Sequence, residues 1–597
     1  MILQSLARYY KLLAEDGKLP KPGYCTAKVS YALNLSESGG LLGVVNLKKT
    51  VQRGKKKVEA PQIAEVPEQA TRSVDISANF LCDNSTYLLG IDGKGRPERS
   101  KECFEASRKL HETVLQGVHT PAAEAVLSFF RRWEPERARE DPVLAEKLED
   151  IFKGGNLIFM LGVGGFAQDD AEIRRAWEAY RESLDPGKRM QCLVTGKEEP
   201  VAVLHGKIKG VKGAQTAGAN LVSFNADAYE SYGHDGGQGL NAPVGRYAAF
   251  AYVTALNHLL SDQEHRIRIG DTTVVYWAEN PRPVYRDIFT AALSPQNEDQ
   301  NRLLGDVMKR LEQGKPVAED VDMRTPFYIL GLSPNAARLS VRFFLRDSFG
   351  NFLQHIRRHY DDLEIAHAPQ DFPYLTLYWL LHETVNPNSN DKAASPLMSG
   401  EVLKSILLGL PYPQSLQSAV MLRIRAEQDD EDRHLKKITR GRAAILKACL
   451  LRKRKEDYKE VSTVSLNEDS NNRAYVLGRL FAVLEKTQQD ANPGINSTIK
   501  DRYFTSACAT PGSVFPILFK LYENHIGKIR KSANGKAASI HDEKLVGGLM
   551  DKLDVDGNPF PPHLFLDDQS VFVLGYYHQV QSFFTPKDKK QNHMEEE

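Results

Sequence analysis

Residues 204–246 constrain the fold more than any other stretch. They read LHGKIKGVKGAQTAGANLVSFNADAYESYGHDGGQGLNAPVGR, and nine of them are glycine. Glycine weakens both helix and strand interiors, so this run reads as a long loop. Glycine also lets backbone amides approach a ligand closely. Lys207, Lys209 and Lys212 lie near its start, and Gln215, Thr216, Asn220, Ser223, Asn225, Gln238 and Asn241 follow. Lysine neutralises phosphate, and Asn or Gln can bond a base edge or a sugar. The composition suits recognition of nucleic acid better than bond cleavage.

The 597 residues allow roughly three or four domains. With 41% hydrophobic and 26% charged residues, the expectation is a soluble globular protein. No run of 18 apolar residues occurs, and the N-terminal stretch is too polar and acidic for a signal peptide. The six cysteines, Cys25, Cys82, Cys103, Cys192, Cys449 and Cys508, are scattered without a CxxC pair. That argues against a zinc site and for a reducing cytoplasm. A net charge of +1 hides two basic stripes. Residues 48–57 hold six basic side chains in ten positions, and residues 436–455 hold nine in twenty. Such local stripes are the electrostatic footprint expected of a nucleic-acid groove.

The pattern along the chain predicts an α+β fold, with β-rich N-terminal and central regions followed by a C-terminal helical bundle. Four regions are expected: 1–150 with the basic loop 48–57, 151–350 with the glycine-rich loop, 351–472 with the basic stripe, and 473–597. A short amphipathic helix ends near Gly17, and strands follow at 24–35 and 41–47. Cys192–Gly196 and Val201–Leu204 read as two strands of a hairpin, 247–260 as a buried helix, and 266–278 as a strand pair bent at Gly270-Asp271. Residues 338–346 alternate, with Leu339, Val341, Phe343 and Leu345 on one face and Arg338, Arg342 and Arg346 on the other. In a cleft those arginines could grip phosphate. Residues 457–472 are polar and turn-rich, a candidate linker.

Catalytic motifs are sparse. GxxxxGK[ST], HExxH and GxSxG are absent. Gly162, Gly164 and Ala167 match a G-x-G-x-x-A fingerprint, but Asp169 and Asp170 would repel a pyrophosphate at the next helix, so a turn is the better reading. His205, His234, Asp235 and Asp271 occur in the order of a metal-dependent phosphohydrolase set. His234-Asp235 sits among glycines that do not hold the helix such a site needs. The reading is therefore non-enzymatic, without metal or cofactor.

Several segments together carry a resemblance. FLCDNSTYLLG, CLVTG, KIKGVKGAQTAGANLVSFNADAYESYG, NAPV and FYILGLSPNAARLSVRFF, in this order and spacing, resemble the large subunit of the subtype I-C CRISPR Cascade, a Csd-type family. The resemblance runs over essentially the whole chain. It implies a non-catalytic subunit of an RNA-guided surveillance complex. Its partners would be CRISPR RNA, target double-stranded DNA, the handle-binding and backbone Cascade subunits, and a helicase-nuclease effector. It would recognise the protospacer-adjacent motif, promote R-loop formation and hold the displaced strand. It also implies a small subunit translated internally from the C-terminal helical part, with no membrane contact and a cytoplasmic location.

Side-chain chemistry then suggests roles within that frame. Lys207, Lys209 and Lys212 would position the duplex, and Gln215, Asn220 and Asn225 would read bases. Lys48, Lys49, Arg53, Lys55, Lys56 and Lys57 would contact DNA beside the motif. Lys436, Lys437, Arg440, Arg442, Arg452, Lys453 and Arg454 would lie along the displaced strand. Arg338, Arg342 and Arg346 would be phosphate contacts. The alternatives are a stand-alone nucleic-acid-binding protein and, with less support, a nuclease using His205, His234, Asp235 and Asp271.

Overall fold

The computed structural model describes every residue except 54–55, 71, 73–75, 164, 185–186, 225, 231–236, 431, 433–434, 454–455, 533–534, 554–558 and 585–597. The chain divides into two compact units. One holds Met1–Ser261 with Pro334–Ser340, and the other holds Asp262–Ser333 and Val341–Glu597.

The first unit opens with α1 (Ile2–Glu15), which buries Leu6, Tyr9, Tyr10 and Leu13 on one side. A long strand, β1 (Tyr24–Leu35), follows. It pairs antiparallel with β2 (Leu41–Asn46) through its second half. A separate basic hairpin comes next, β3 (Lys49–Arg53) and β4 (Lys56–Ala60). Then β5 (Gln62–Pro67) pairs with the first half of β1. β6 (Cys82–Asp83) leads into the helices α2 (Ser85–Leu88), α3 (Pro97–Val114), α4 (Pro121–Arg132), α5 (Pro142–Ala145) and α6 (Leu148–Phe152). β7 (Asn156–Leu161) runs parallel to β1 and pairs with β6 and with β8 (Gly165–Phe166). The strand–turn–strand geometry of β7 and β8 settles the fingerprint at Gly162: it is a hairpin, not a strand entering a phosphate-binding helix. Asp170 instead caps α7 (Ala171–Ser183), accepting from the amides of Glu172 and Ile173.

β1 is covered on both faces. Tyr31, Leu33 and Leu35 join a core with Phe104, Phe129, Phe130 and Phe159. Ala27, Val29 and Ala32 meet Val66, Cys82 and Ile158. Strict alternation would put Val29 with Tyr31 and opposite Ala32. The register against β7 shifts between Val29 and Tyr31, and that extra residue reverses the facing of the rest of the strand.

Next come β9 (Arg189–Gln191) and β10 (Glu198–Pro200), an antiparallel pair. Here the sequence reading needs correction, because Cys192 to Gly196 form the turn and not a strand. The Cys192 sulfur accepts from the amides of Val194 and Thr195, each at 3.4 Å, and of Gly245 at 3.1 Å. Those bonds organise a tight turn around the sulfur. The unit's main chain closes with α8 (Arg246–Ser261), apolar on most faces and buried as expected.

In the second unit, β11 (Arg266–Ile269) and β12 (Thr272–Ala278) pair across Gly270-Asp271. Every residue of β12 is buried. After α9 (Pro283–Leu293) and α10 (Glu298–Glu312), β13 (Pro326–Asn335) pairs with β12, and β14 (Arg338–Ser348) completes a four-stranded sheet. Helices then dominate: α11 (Phe349–Leu363), α12 (Leu377–His382), α13 (Pro396–Leu408), α14 (Gln414–Ala426), α15 (Arg440–Lys453), α16 (Arg473–Ala491), α17 (Ile499–Ala509), α18 (Pro511–Arg530), α19 (Gly535–Leu553) and α20 (Leu566–Phe584). The whole is α+β, with its sheets early and its helical bundle late.

One hydrophobic core runs through regions 351–472 and 473–597, from Ile356 and Leu446 to Phe515 and Phe572. At its centre α16 and α20 cross backbone to backbone. A Cβ on Gly478 would lie 2.0 Å from the Phe572 carbonyl oxygen, and one on Gly575 2.1 Å from that of Tyr475. The segment 457–472 is tied down: Val461 is buried, and the Asn467 side-chain Nδ2 donates to the Glu460 carbonyl at 2.8 Å. Arg479 donates to the carbonyls of Asn467 and Glu468.

Candidate nucleic-acid interface

The glycine-rich stretch builds an exposed loop on a fixed base. Ile208 and Ala219 exchange backbone hydrogen bonds at 2.8 and 2.9 Å and close residues 209–218 into one excursion. Asn257 on α8 clamps the base from behind. Its Oδ1 accepts from the Lys209 amide at 2.8 Å, and its Nδ2 donates to the Lys207 carbonyl at 3.1 Å. Gly218, at φ +96°, returns the chain so tightly that a Cβ would sit 2.9 Å from the Ile208 oxygen. Val211 is buried beneath the loop, while Lys209, Lys212, Gln215 and Thr216 are exposed on it and Lys207 is half-buried. Cations and an amide are thus held outward on an anchored backbone, as phosphate and groove contacts require. Replacing Asn257 with alanine leaves that amide and carbonyl unpaired. The expected cost is about 1–3 kcal/mol of stability with no change of charge, read by denaturant unfolding.

Beyond the loop, Asn220 joins the hairpin tip at Pro334–Ser340. Its amide donates to the Ala337 carbonyl, and its carbonyl accepts from the Leu339 amide, both at 3.0 Å. The Asn220 side chain donates to the His205 carbonyl at 3.0 Å, so part of its bonding capacity holds the chain itself. These segments enclose a cavity of about 130 Å³ lined by His205, Asn220, Ser223, Phe224, Gln238 and Arg338, among others. Arg338 lies 4.2 Å from the centre of the Tyr229 ring. The His205 imidazole meets the Tyr252 hydroxyl through Nδ1 at 2.7 Å, and burial holds its pKa down at about 4. Asn225 lies outside the described residues.

The other candidates are placed unevenly. Lys49 and Lys57 are exposed on the basic hairpin, Lys55 lies outside the described residues, and Arg53 pairs with Lys56 in its register. Lys48 is engaged within the fold instead. It pairs with Asp150 at 2.7 Å and donates to the Tyr31 hydroxyl at 2.9 Å. Arg342 makes an exposed pair with Asp271 at 3.1 Å, and Arg346 lies 6.0 Å from the Tyr328 ring centre.

The stripe at 436–455 is a correction. Among its described residues it does not form an exposed basic face, because α15 is wrapped on nearly all sides. Lys437, Arg442, Lys447 and Arg452 are buried. Arg442 pairs with Glu427 at 2.6 Å and Glu383 at 3.3 Å, and Arg452 with Asp362 at 2.6 Å. Lys437 donates to the Glu427 carbonyl at 2.8 Å, and Arg440 to the carbonyls of Phe372 and Pro373. Lys453 pairs with Asp567 at 2.8 Å, and Lys436 is exposed. Arg454 lies outside the described residues. Burying cations on this scale requires partners, and the partners are internal carboxylates and carbonyls.

For the nuclease reading, His205 and Asp271 belong to different units, and His234 and Asp235 lie outside the described residues. Among the described residues no group of three His, Cys, Asp or Glu could hold a metal ion. No described helix is long and apolar enough to cross a membrane.

The sequence reading passed over Asn257, Tyr252 and Phe224. Asn257 could have been noticed as a lone amide in an otherwise apolar helix. It also passed over Tyr378 and Trp379, which stand 65% and 57% exposed on α12.

This architecture is that of an α+β protein whose anchored, lysine-bearing loop suits a polyanion. The model of the CRISPR-associated protein family (Cas_Csd1) matches residues 6–584. The chain belongs to this family. No curated protein matches it.

Proposed function

We propose that this chain is the non-catalytic large subunit of a subtype I-C CRISPR surveillance complex, and that its loop 209–218 engages duplex DNA beside a guide-matched target. One observation carries the reading: Lys209, Lys212 and Gln215 are exposed on a loop fixed by Asn257 and the Ile208–Ala219 bridge. Sequence is then read by the guide, so the protein needs only phosphate contacts and a few base-edge contacts. The lysines supply affinity and Gln215 supplies discrimination at the adjacent motif. The exposed Lys49 and Lys57 give the β3–β4 hairpin the charge to flank the same duplex. The complex's other partners are CRISPR RNA, the handle-binding and backbone subunits, and the recruited helicase-nuclease.

The C-terminal region also serves as a small subunit made from the same gene. The region does not stand apart from α14 in this chain, since Gln417 of α14 donates to Asp567 and Ser570 of α20 at 3.0 Å. As a separate product it would expose that face and bind where the full-length chain's helices leave room in the complex.

The test is duplex binding by assembled complexes. Lys212→Ala is expected to weaken binding to every sequence and to lower the salt slope by about one. Gln215→Ala is expected to cost about 1–3 kcal/mol of motif discrimination. Unchanged affinity and unchanged preference in both variants would sink the assignment. A free chain that binds duplex tightly without guide RNA would favour the stand-alone reading instead.

A further inference from the structure

We infer that the 130 Å³ cavity beside the loop holds a single unstacked pyrimidine base of a DNA strand. This rests on the nucleic-acid reading above and adds a site to it. The cavity's size selects the ligand. A closed apolar cavity of about 150 Å³ holds one six-membered ring. This cavity opens to solvent, and its volume of about 130 Å³ suits one ring seated inside it.

Its lining suits a base. Phe224 offers an aromatic face, and at the rim Val203 and Leu204 are 48% and 71% exposed, apolar surface that a base would cover. Asn220 and Gln238 offer amides to a base edge, and Arg338 offers a cation near the strand.

The imidazole of His205 supplies the discriminating bond. His205 is 7% exposed, and its Nε2 is buried with no hydrogen-bond partner among the described residues. Its Nδ1 faces the buried Tyr252 hydroxyl at 2.7 Å. A buried hydroxyl must place its proton, and Nδ1 is the acceptor beside it, so Tyr252 donates and Nε2 carries the ring proton. That N–H is a donor waiting for an acceptor, and O2, common to thymine and cytosine, provides one.

The backbone around the cavity is held in an uncommon form. Gln238 and Ala336, neither of them glycine, adopt φ of +42° and +51°. Such conformations persist where the surroundings fix them, and they gather at ligand clamps.

Strand separation next to a bound duplex would present such a base. Enzymes and clamps that extrude a base pay its unstacking and recover it in a fitted pocket. Held here, one pyrimidine would be kept from re-pairing.

The test uses the full chain and short abasic DNA strands that carry one central dT, dC or dA, or none. The phosphates are the same in all four, so any gain reports the base. The expected result is about tenfold tighter binding for dT and dC than for the fully abasic strand, with dA close to it. Ala337 is exposed and lines the cavity, so Ala337→Trp fills it without opening the core. That variant should melt like the parent and lose the pyrimidine gain, while abasic binding persists. His205→Gln should reduce the gain in the same way. Equal binding of all four strands, or a gain that survives Ala337→Trp, overturns the site and leaves the duplex-binding loop standing. No binding of any strand at low salt overturns the site, and duplex binding by the assembled complex then decides the loop separately. Strands with ribose sugars assign the source, and a gain confined to them would move the base to RNA and overturn the DNA assignment.

Discussion

Arg442→Ala is expected to lower stability by about 3 kcal/mol, the lower end of the cost of breaking a buried ion pair, because Arg423 still faces Glu427 at 3.6 Å. The Arg442 side chain is 6% exposed, and it bridges Glu427 and Glu383 while donating to the carbonyls of Lys436 and Lys437. Alanine would strand Glu427, itself 9% exposed, without its closest cation. Lys436→Ala, at an exposed position of the same stripe, should stay within about 0.5 kcal/mol of the parent. Denaturant midpoints of the two variants decide the role of the stripe. A stable Arg442→Ala protein that bound the displaced strand more weakly would return the stripe to the nucleic-acid surface.

Acid is expected to destabilise both units before most of their carboxylates titrate. Four histidines are buried and held neutral: burial keeps His111 and His205 at about 4 and His359 and His578 at about 3. Arg452 adds to the effect at His359, and Lys447 and Arg479 add to it at His578. In the unfolded chain each titrates near 6.5. The unfolded state therefore takes up protons first as pH falls. The stability these groups contribute is full above about pH 6.5 and is lost between there and their folded values. At pH 5 the loss is roughly 2 kcal/mol for each histidine, roughly 4 for each unit. That is a large share of a typical 5–15 kcal/mol. Glu383 and Asp361, shifted up by burial, oppose the trend only as pH reaches their own range. Melting at pH 7 and pH 5 measures the loss, and His359→Gln should about halve it for the second unit, where His578 remains. Equal melting temperatures at the two pH values would contradict the account.

Local pattern was legible and long-range pairing was not. The helix at 2–15, the strand at 24–35, the buried helix 246–261 and the bent strand pair at 270–271 all follow from spacing and punctuation. In α18, Phe515, Leu518, Tyr522 and Ile526 lie in the core, and Phe519 packs against it partly buried. The basic stripe misled because its partners, Asp362, Glu383 and Glu427, are remote in sequence. Yet Ala443 to Leu450, apolar around Lys447, already described a helix covered on most sides. The bulge at Ser30 left no mark that alternation could reveal. Of the candidate site, the glycine–lysine loop was visible from composition. The cavity was not, because it forms where residues near 205, 222, 238 and 337 meet.

The central claim is that loop 209–218 lets a guide-loaded complex recognise the motif beside its target. The most direct measurement is the affinity of the assembled complex for a guide-matched duplex, with the flanking motif intact and scrambled. It is made with the loop unaltered and with Lys209, Lys212 and Gln215 changed together to alanine. With the unaltered loop, scrambling should cost about tenfold or more, and the altered loop should bind both duplexes weakly and alike. An altered loop that kept the full preference would contradict the account.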